Sequence, residues 1–396
     1  MLEVFLPRSS NHWICHRRTT MADLIVFGED WGGLPSSTQH LISHLMKRHR
    51  VIWVNSIGMR SPQLSLRDIK RVFQKMMAML RRTGKPAQTS SEQITPVIIH
   101  PKVLPFHRLK LVRQLNKRLL LKDINRAIDQ EGFDKIILWL SLPTAVDLVG
   151  SLNEQASIYY CGDDFEGLDG VDHKMIKPLE QELAEKVDLI LVVSKTLARK
   201  FTHPNTIILP HGVDYPLFSS PAAKPHDLPD SGPIAGFYGS ISAWLETDLL
   251  VQSAIALPSW QFVFIGDIKT DISSLQALPN VHFLGAKPHN QLPSYIQHWN
   301  VAMLPFRNNK QIAACNPLKL REYLASGTPI ASTSFPAARE YENLVAIQSP
   351  KEPFSRVILR ANDQREEKAN RQARVSTESW QHRATQLEAL INHLSR

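Results

Sequence analysis

The residues best placed to do chemistry lie in Asn316-Pro-Leu-Lys-Leu-Arg-Glu-Tyr-Leu-Ala-Ser-Gly327. The pattern predicts a short helix feeding a strand at Pro329-Ile-Ala-Ser. Asn316 is read as the N-cap, because its side-chain oxygen can accept from an unpaired backbone N–H. Pro317 suits the first helical position, which needs no donor, and Gly327 the left-handed residue past the end. The first turn, Pro317, Leu318 and Lys319, then offers free N–H groups and a partial positive charge, a setting for phosphate. Lys319 and Glu322 are three apart and share a face. A cation at the phosphate end and a carboxylate one turn deeper suit a diphosphate and a ribose hydroxyl pair. An ordinary capped helix with a surface Lys–Glu pair has the same pattern.

Three other groups can do chemistry. Gly236-Phe-Tyr-Gly-Ser240 ends a predicted strand; Gly239 lets backbone approach a ligand and Ser240 can donate to phosphate. Tyr159-Tyr-Cys-Gly-Asp-Asp-Phe-Glu166 ends another with clustered carboxylates. Asp164, slightly preferred, or Asp163 would reach a cleft at the strand's C-terminal end and serve as general base; capping the next helix is the other use of such residues. His211, beside Gly212, suits either a ligand hydrogen bond or a backbone-satisfied hinge.

The segment 316–327 resembles the nucleotide-sugar site of GT-B glycosyltransferases, family-4-like enzymes of the glycosyl transferase group 1 type. Many carry Asn-Pro-x-Lys-x-x-Glu-Tyr-x-Ala-x-Gly, and every fixed position is matched. The resemblance implies an α/β fold of two Rossmann-like doubly wound domains facing a cleft, with a C-terminal helix crossing back to the first domain. It implies that Glu322 binds ribose and that Asn316 to Lys319, Gly239 and Ser240 surround the diphosphate. Relatives place an Arg after the Gly239 loop and a Lys one strand on; here the first is missing and Lys269 stands in for the second. Gly33, in the first glycine-containing loop, and Arg307, after Leu304-Pro-Phe, are expected near the cleft. A second Glu that many retaining members carry eight residues earlier is Ala314, which leaves the stereochemical outcome open. No cofactor and no metal are expected, because this fold steadies the leaving diphosphate with helix dipole and cations.

The implied activity is transfer of a hexose from a UDP- or GDP-type sugar to a lipid-linked or glycan acceptor in surface polysaccharide or glycolipid synthesis. A nucleotide-sugar 2-epimerase of the same architecture, and a non-catalytic basic protein binding membrane or nucleic acid, are the competing classes.

Composition sets outer bounds. At 396 residues, with 43% hydrophobic and 21% charged, the chain suits two globular domains. Cys15, Cys161 and Cys315 are scattered, which fits a reducing compartment. The 16 histidines are read as dispersed, with no zinc site. No apolar run spans a bilayer. Charge is uneven: residues 59–122 hold 15 Lys and Arg against Asp68 and Glu92, a local +13 that leaves about −4 of the overall +9 elsewhere. Helical spacing over 64–82 and 106–129 predicts two basic helices packed on the first domain. Their outer surface is expected to meet anionic lipid, with no nucleic acid expected, and this gives a cytoplasmic location on the inner membrane face.

The elements follow in order. Residues 1–20 are read as a disordered extension. An apolar strand at 22–28, a helix from Ser36 and a strand at 50–54 open a βαβ pattern. Further strands at 135–140, 157–161, 187–193 and 206–209 complete a first domain over 21–215. A Pro- and Ser-rich linker covers 216–233. Strands from 233, 261, 280, 300 and 329 make a nucleotide-binding domain over 234–375, and the final helix over 376–396 returns to the first domain, Trp380 leading.

Overall fold

The computed structural model describes residues 22–33, 36–58, 94–104, 106–168 and 171–395. The expected extension over 1–20, the basic helix over 64–82 and the basic window as far as 93 lie outside the described residues.

Two parallel sheets organise the chain. The first takes β1 (Asp23–Phe27), β2 (Arg50–Val54), β3 (Val97–Ile99), β4 (Ile136–Leu140), β5 (Ala156–Cys161), β6 (Leu189–Val192) and β7 (Thr206–Ile208) in the order β3-β2-β1-β4-β5-β6-β7. The second takes β8 (Ile234–Tyr238), β9 (Gln261–Ile265), β10 (Val281–Phe283), β11 (Val301–Leu304), β12 (Ile330–Ser332) and β13 (Ala346–Ile347) in the order β10-β9-β8-β11-β12-β13. Helices cover both faces of a parallel sheet, so its central strands are apolar throughout rather than alternating. Thus β1 and β4 are buried at every position. β3 and β13, of three and two residues at sheet edges, escape the sequence reading because such short runs carry no periodicity.

Four helices bear on the site: α1 (Ser37–Leu45), α2 (Lys110–Glu131), α3 (Leu318–Ser326) and α4 (Trp380–Leu394). α1 starts just beyond the end of β1, capped by the Ser36 hydroxyl, which accepts from the Gln39 N–H. α3 links β11 to β12 and ends at Gly327, whose φ of 75° is the left-handed cap expected there. α4 returns to the first domain, where Trp380, Leu387 and Ile391 join that domain's core. Its approach is fixed at Gly212: a Cβ there would lie 2.7 Å from the Trp380 ring, so only glycine allows the ring to seat. The two domains are therefore Rossmann-like, face one another, and are tied by a crossing C-terminal helix. The carboxyl ends of both sets of strands border the cleft, where open α/β sheets take ligands.

Candidate active site

A cavity of about 600 Å³ opens between the domains, within the usual range for small-molecule sites. Its second-domain wall includes Asn316, Pro317, Leu318 and Lys319, so the start of α3 faces it. The first helical residue is Leu318, and Pro317 takes the capping position without a side-chain cap bond. Asn316 is not the cap. Its Nδ2 donates to the Val193 carbonyl of the first domain at 2.7 Å, and its Oδ1 accepts from Arg321. A buried amide must satisfy both ends, and here one partner is a first-domain carbonyl and the other the Arg321 side chain, neither of them a first-turn N–H. The amides of Leu318 and Lys319 consequently meet no capping side chain.

Lys319 has no acidic partner among the described residues. Its Nζ lies 4.8 Å from the Phe237 ring centre and 5.5 Å from that of Phe306. The aromatic faces return part of the lost hydration. Burial still pushes the ammonium down to about 8, the nearby Cys315 opposing it. Gly239 makes room for this side chain. Its φ is +126°, and a Cβ would fall 2.6 Å from Nζ. Beyond it, the hydroxyls of Ser240 and Ser242 are buried without a partner among the described residues.

Glu322 sits one turn behind this wall and is not part of the cavity lining. It is buried, and its Oε1 lies 2.8 Å from His289 Nε2. Burial, helped by Asp214, raises the carboxyl to about 8, while burial lowers the His289 imidazole. Burial drives both groups toward neutrality. His289 is wedged against Phe218, ring centres 5.3 Å apart.

On the first-domain wall the two aspartates part company. Asp163 lines the cavity. Water reaches it through the cleft, yet the enclosing walls desolvate it, and with Glu29 and Asp164 nearby its carboxyl rises to about 7. Asp164 turns away, 2.9 Å from Lys200 Nζ, and accepts the Glu166 N–H. His211 lines the cavity too. It bonds Ser37 Oγ at 2.8 Å and Tyr160 OH at 3.2 Å. Burial, then Arg321, Arg383 and His40, hold it down at about 3, so the ring is neutral.

The remaining candidates stand outside the lining. Lys269 is exposed, its backbone N–H bonded to the Ile241 carbonyl. Gly33 closes an exposed turn by donating to the Asp30 carbonyl. Arg307 braces the segment before α-helical residue 247 through Leu245, its Nε donating to that carbonyl at 3.0 Å. Sequence reasoning does not single out Glu29, Thr38, Trp244, Phe306 or His289. Glu29 follows β1, and a strand's carboxyl end was the available signal; the others carry none. His40 and His44 do stand four apart on α1, a spacing passed over above. Among the described residues, no group of three or more His, Cys, Asp or Glu is arranged to hold a metal ion.

Residues 232–362 match the family model described as "Glycosyl transferases group 1". The "Putative teichuronic acid biosynthesis glycosyltransferase TuaH" of Bacillus subtilis (strain 168) is 26% identical over 230 residues, 53% of this chain and 58% of the relative. The chain therefore spans little more than half the length of that curated relative. Among solved structures, sucrose-phosphate synthase from Thermosynechococcus elongatus aligns over 94% of this chain and 99% of its own, with a TM-score of 0.67 and 15% identity. Anabaena Alr3699/HepE in complex with UDP aligns over 94% and 100%, at 0.63 and 12%. The E. coli protein titled "Trehalose-6-phosphate … bound with UDP-2-fluoro glucose" aligns over 94% and 99%, at 0.63 and 11%. These likenesses establish the GT-B fold.

Proposed function

We propose that the chain, whose residues 232–362 match the glycosyl transferases group 1 model and whose fold is GT-B, transfers a hexose from a nucleotide-diphosphate sugar to a hydroxyl acceptor. The observation that carries this reading is the uncapped start of α3 with the unpaired Lys319 beside it, both facing the cavity between the domains. A UDP donor is favoured, because two structural relatives were solved with UDP or a UDP sugar.

The chemistry follows from the groups present. The acceptor oxygen forms a bond to the anomeric carbon as that carbon's bond to the diphosphate breaks. The diphosphate oxygen keeps the electron pair, and its growing charge meets the amides of Leu318 and Lys319, the Lys319 ammonium and the Ser240 hydroxyl. In an inverting transfer the acceptor proton passes to Asp163, which takes the place of Asp164 as preferred base because it borders the cavity. Glu322, released from His289, would take the ribose hydroxyls. Closure of the domains excludes water and limits hydrolysis.

The acceptor is read as lipid-linked or glycan, in surface polysaccharide or glycolipid synthesis, which the teichuronic acid relative supports. A membrane-face setting is supported by α2. Leu111 is 80% exposed, and Leu109, Leu115 and Leu119 are also open, among Lys110, Lys117, Arg118 and Lys122. Such a surface suits anionic lipid. Among the described residues no helix is long and apolar enough to cross a membrane.

A thermal-shift screen across UDP-, GDP- and dTDP-sugars tests the reading, because a ligand that binds only the folded state raises the melting temperature. UDP compounds are expected to stabilise most; no shift with any nucleotide would sink it. Incubation with a UDP-sugar alone separates the 2-epimerase class, which would release an epimerised sugar without acceptor.

A further inference from the structure

The two walls of the cavity differ in charge. Lys319, on the second-domain side, is the one Lys or Arg among the described lining residues. The proposed donor diphosphate would occupy it. Among the described residues, the first-domain side presents two carboxylates, Glu29 and Asp163, and no cation. Neither carboxylate has an ion pair or side-chain hydrogen bond among the described residues, so neither charge is cancelled locally. His211 does not help, since its ring is neutral.

The same side carries hydroxyls that already have protein partners. Ser37 Oγ is held by His211 at 2.8 Å. Thr38 Oγ1 and Ser141 Oγ bond one another at 2.8 Å, and Ser141 also accepts from Trp139 Nε1. A hydroxyl offers one donor and two acceptor positions, so each keeps capacity for a ligand. Phe165 and Leu168 complete this side with apolar surface. Glu29 is steadied by its backbone carbonyl, which accepts from Trp53 Nε1 at 2.9 Å.

From this asymmetry we propose that the first-domain side of the cavity accepts a neutral polyhydroxyl group, the uncharged sugar end of an acceptor. It turns away acceptors that carry a phosphate or carboxylate next to the reacting hydroxyl. The inference rests on the glycosyltransferase reading above and names its acceptor class. An anion entering here meets the charge of Glu29, joined by that of Asp163 once it ionises, and, among the described lining residues, no counter-charge left by the donor. A neutral polyol meets fixed hydroxyl partners and two strong acceptors for its own O–H groups. The transfer is balanced: the acceptor oxygen gains the sugar, its proton goes to a carboxylate or solvent, and the nucleoside diphosphate leaves with the electron pair.

The test uses the full chain, the donor found by thermal shift, and matched acceptors: a panel of neutral alkyl glycosides, the corresponding sugar 6-phosphates and the corresponding uronates. The expected kcat/KM for the neutral acceptor is at least about tenfold above either anionic counterpart. Glu29→Lys is expected to narrow that ratio by about fivefold or more, most strongly at low salt, where charge effects are least screened. The inference is overturned if the donor binds and an anionic acceptor is used as well as, or better than, its neutral match. It is also overturned if Glu29→Lys leaves the ratio unchanged. Failure of any nucleotide to bind strikes the glycosyltransferase reading instead, so the two are separable.

Discussion

At Lys319 burial and function pull against each other. Withdrawing the ammonium from water brings it to about 8, close to the working range, and a bound diphosphate would restore its charge. Asp163 is raised to about 7 from the other direction. These two groups give a pH dependence with a definite sign. Below about 7 Asp163 is protonated and cannot accept the acceptor's proton, so rate falls as pH falls. Above about 8 Lys319 loses its charge, so rate falls as pH rises. Because kcat/KM reports groups in the free enzyme, its profile is expected to be a bell with its maximum between these values. Asp163→Asn is expected to lower kcat by about 10²-fold or more and to remove the acid limb, whereas Asp164→Asn should leave that limb in place. Initial rates across a buffer series check both. The sequence made Lys319 legible because its spacing from a helix start is local information. It slightly preferred Asp164 over Asp163, and what turns Asp164 aside is Lys200, 36 residues away.

The elements that hold these residues depend on two features. One is the turn after β8, where Gly239 takes a φ of +126° against the Lys319 ammonium. Gly239→Ala places a methyl group into that space and strains the backbone. It is expected to cost about 1–3 kcal/mol of stability and to weaken nucleotide binding, measured by denaturant unfolding and by titration. The other is the bracing of α3. Arg321 is fully buried and donates to Glu378 at 2.7 Å, and Glu378 also accepts from Tyr341 OH at 2.8 Å. Both members are shielded from solvent, so removing one leaves an uncompensated buried charge. Glu378→Gln is expected to destabilise by about 3–5 kcal/mol, read as a lower melting temperature. Helix α3 itself was legible from Pro317 and Gly327. The role of Asn316 was not: as an N-cap it would have served its own helix, but its amide serves Val193 across the cleft. Lys269 is exposed outside the cavity lining, a position that nothing local in the sequence marks.

Across the whole molecule, direct contacts join the domains. Asn316 bonds Val193, Ser194 Oγ donates to the Ala314 carbonyl at 2.9 Å, and Val213 pairs with Ser379 beside the Trp380 anchor. Alternating apolar strands and helices made both doubly wound sheets legible, because parallel strands advertise their burial in composition. The cleft was expected only through the family resemblance, since composition and periodicity do not say how two separately folding patterns meet. The basic, leucine-studded surface of α2 is expected to retain the protein on vesicles containing anionic lipid at low salt and to release it as salt rises. Vesicles that never retain it would remove the membrane-face setting while leaving the transferase reading intact. The central claim is that the start of α3 grips a nucleoside diphosphate between the domains. Isothermal titration of UDP into the wild-type protein and into Lys319→Ala tests it most directly. The expected result is saturable binding to the wild type and affinity at least about tenfold weaker, about 1.4 kcal/mol, in the variant. Equal affinity in the two proteins, or no binding to the wild type, would contradict it.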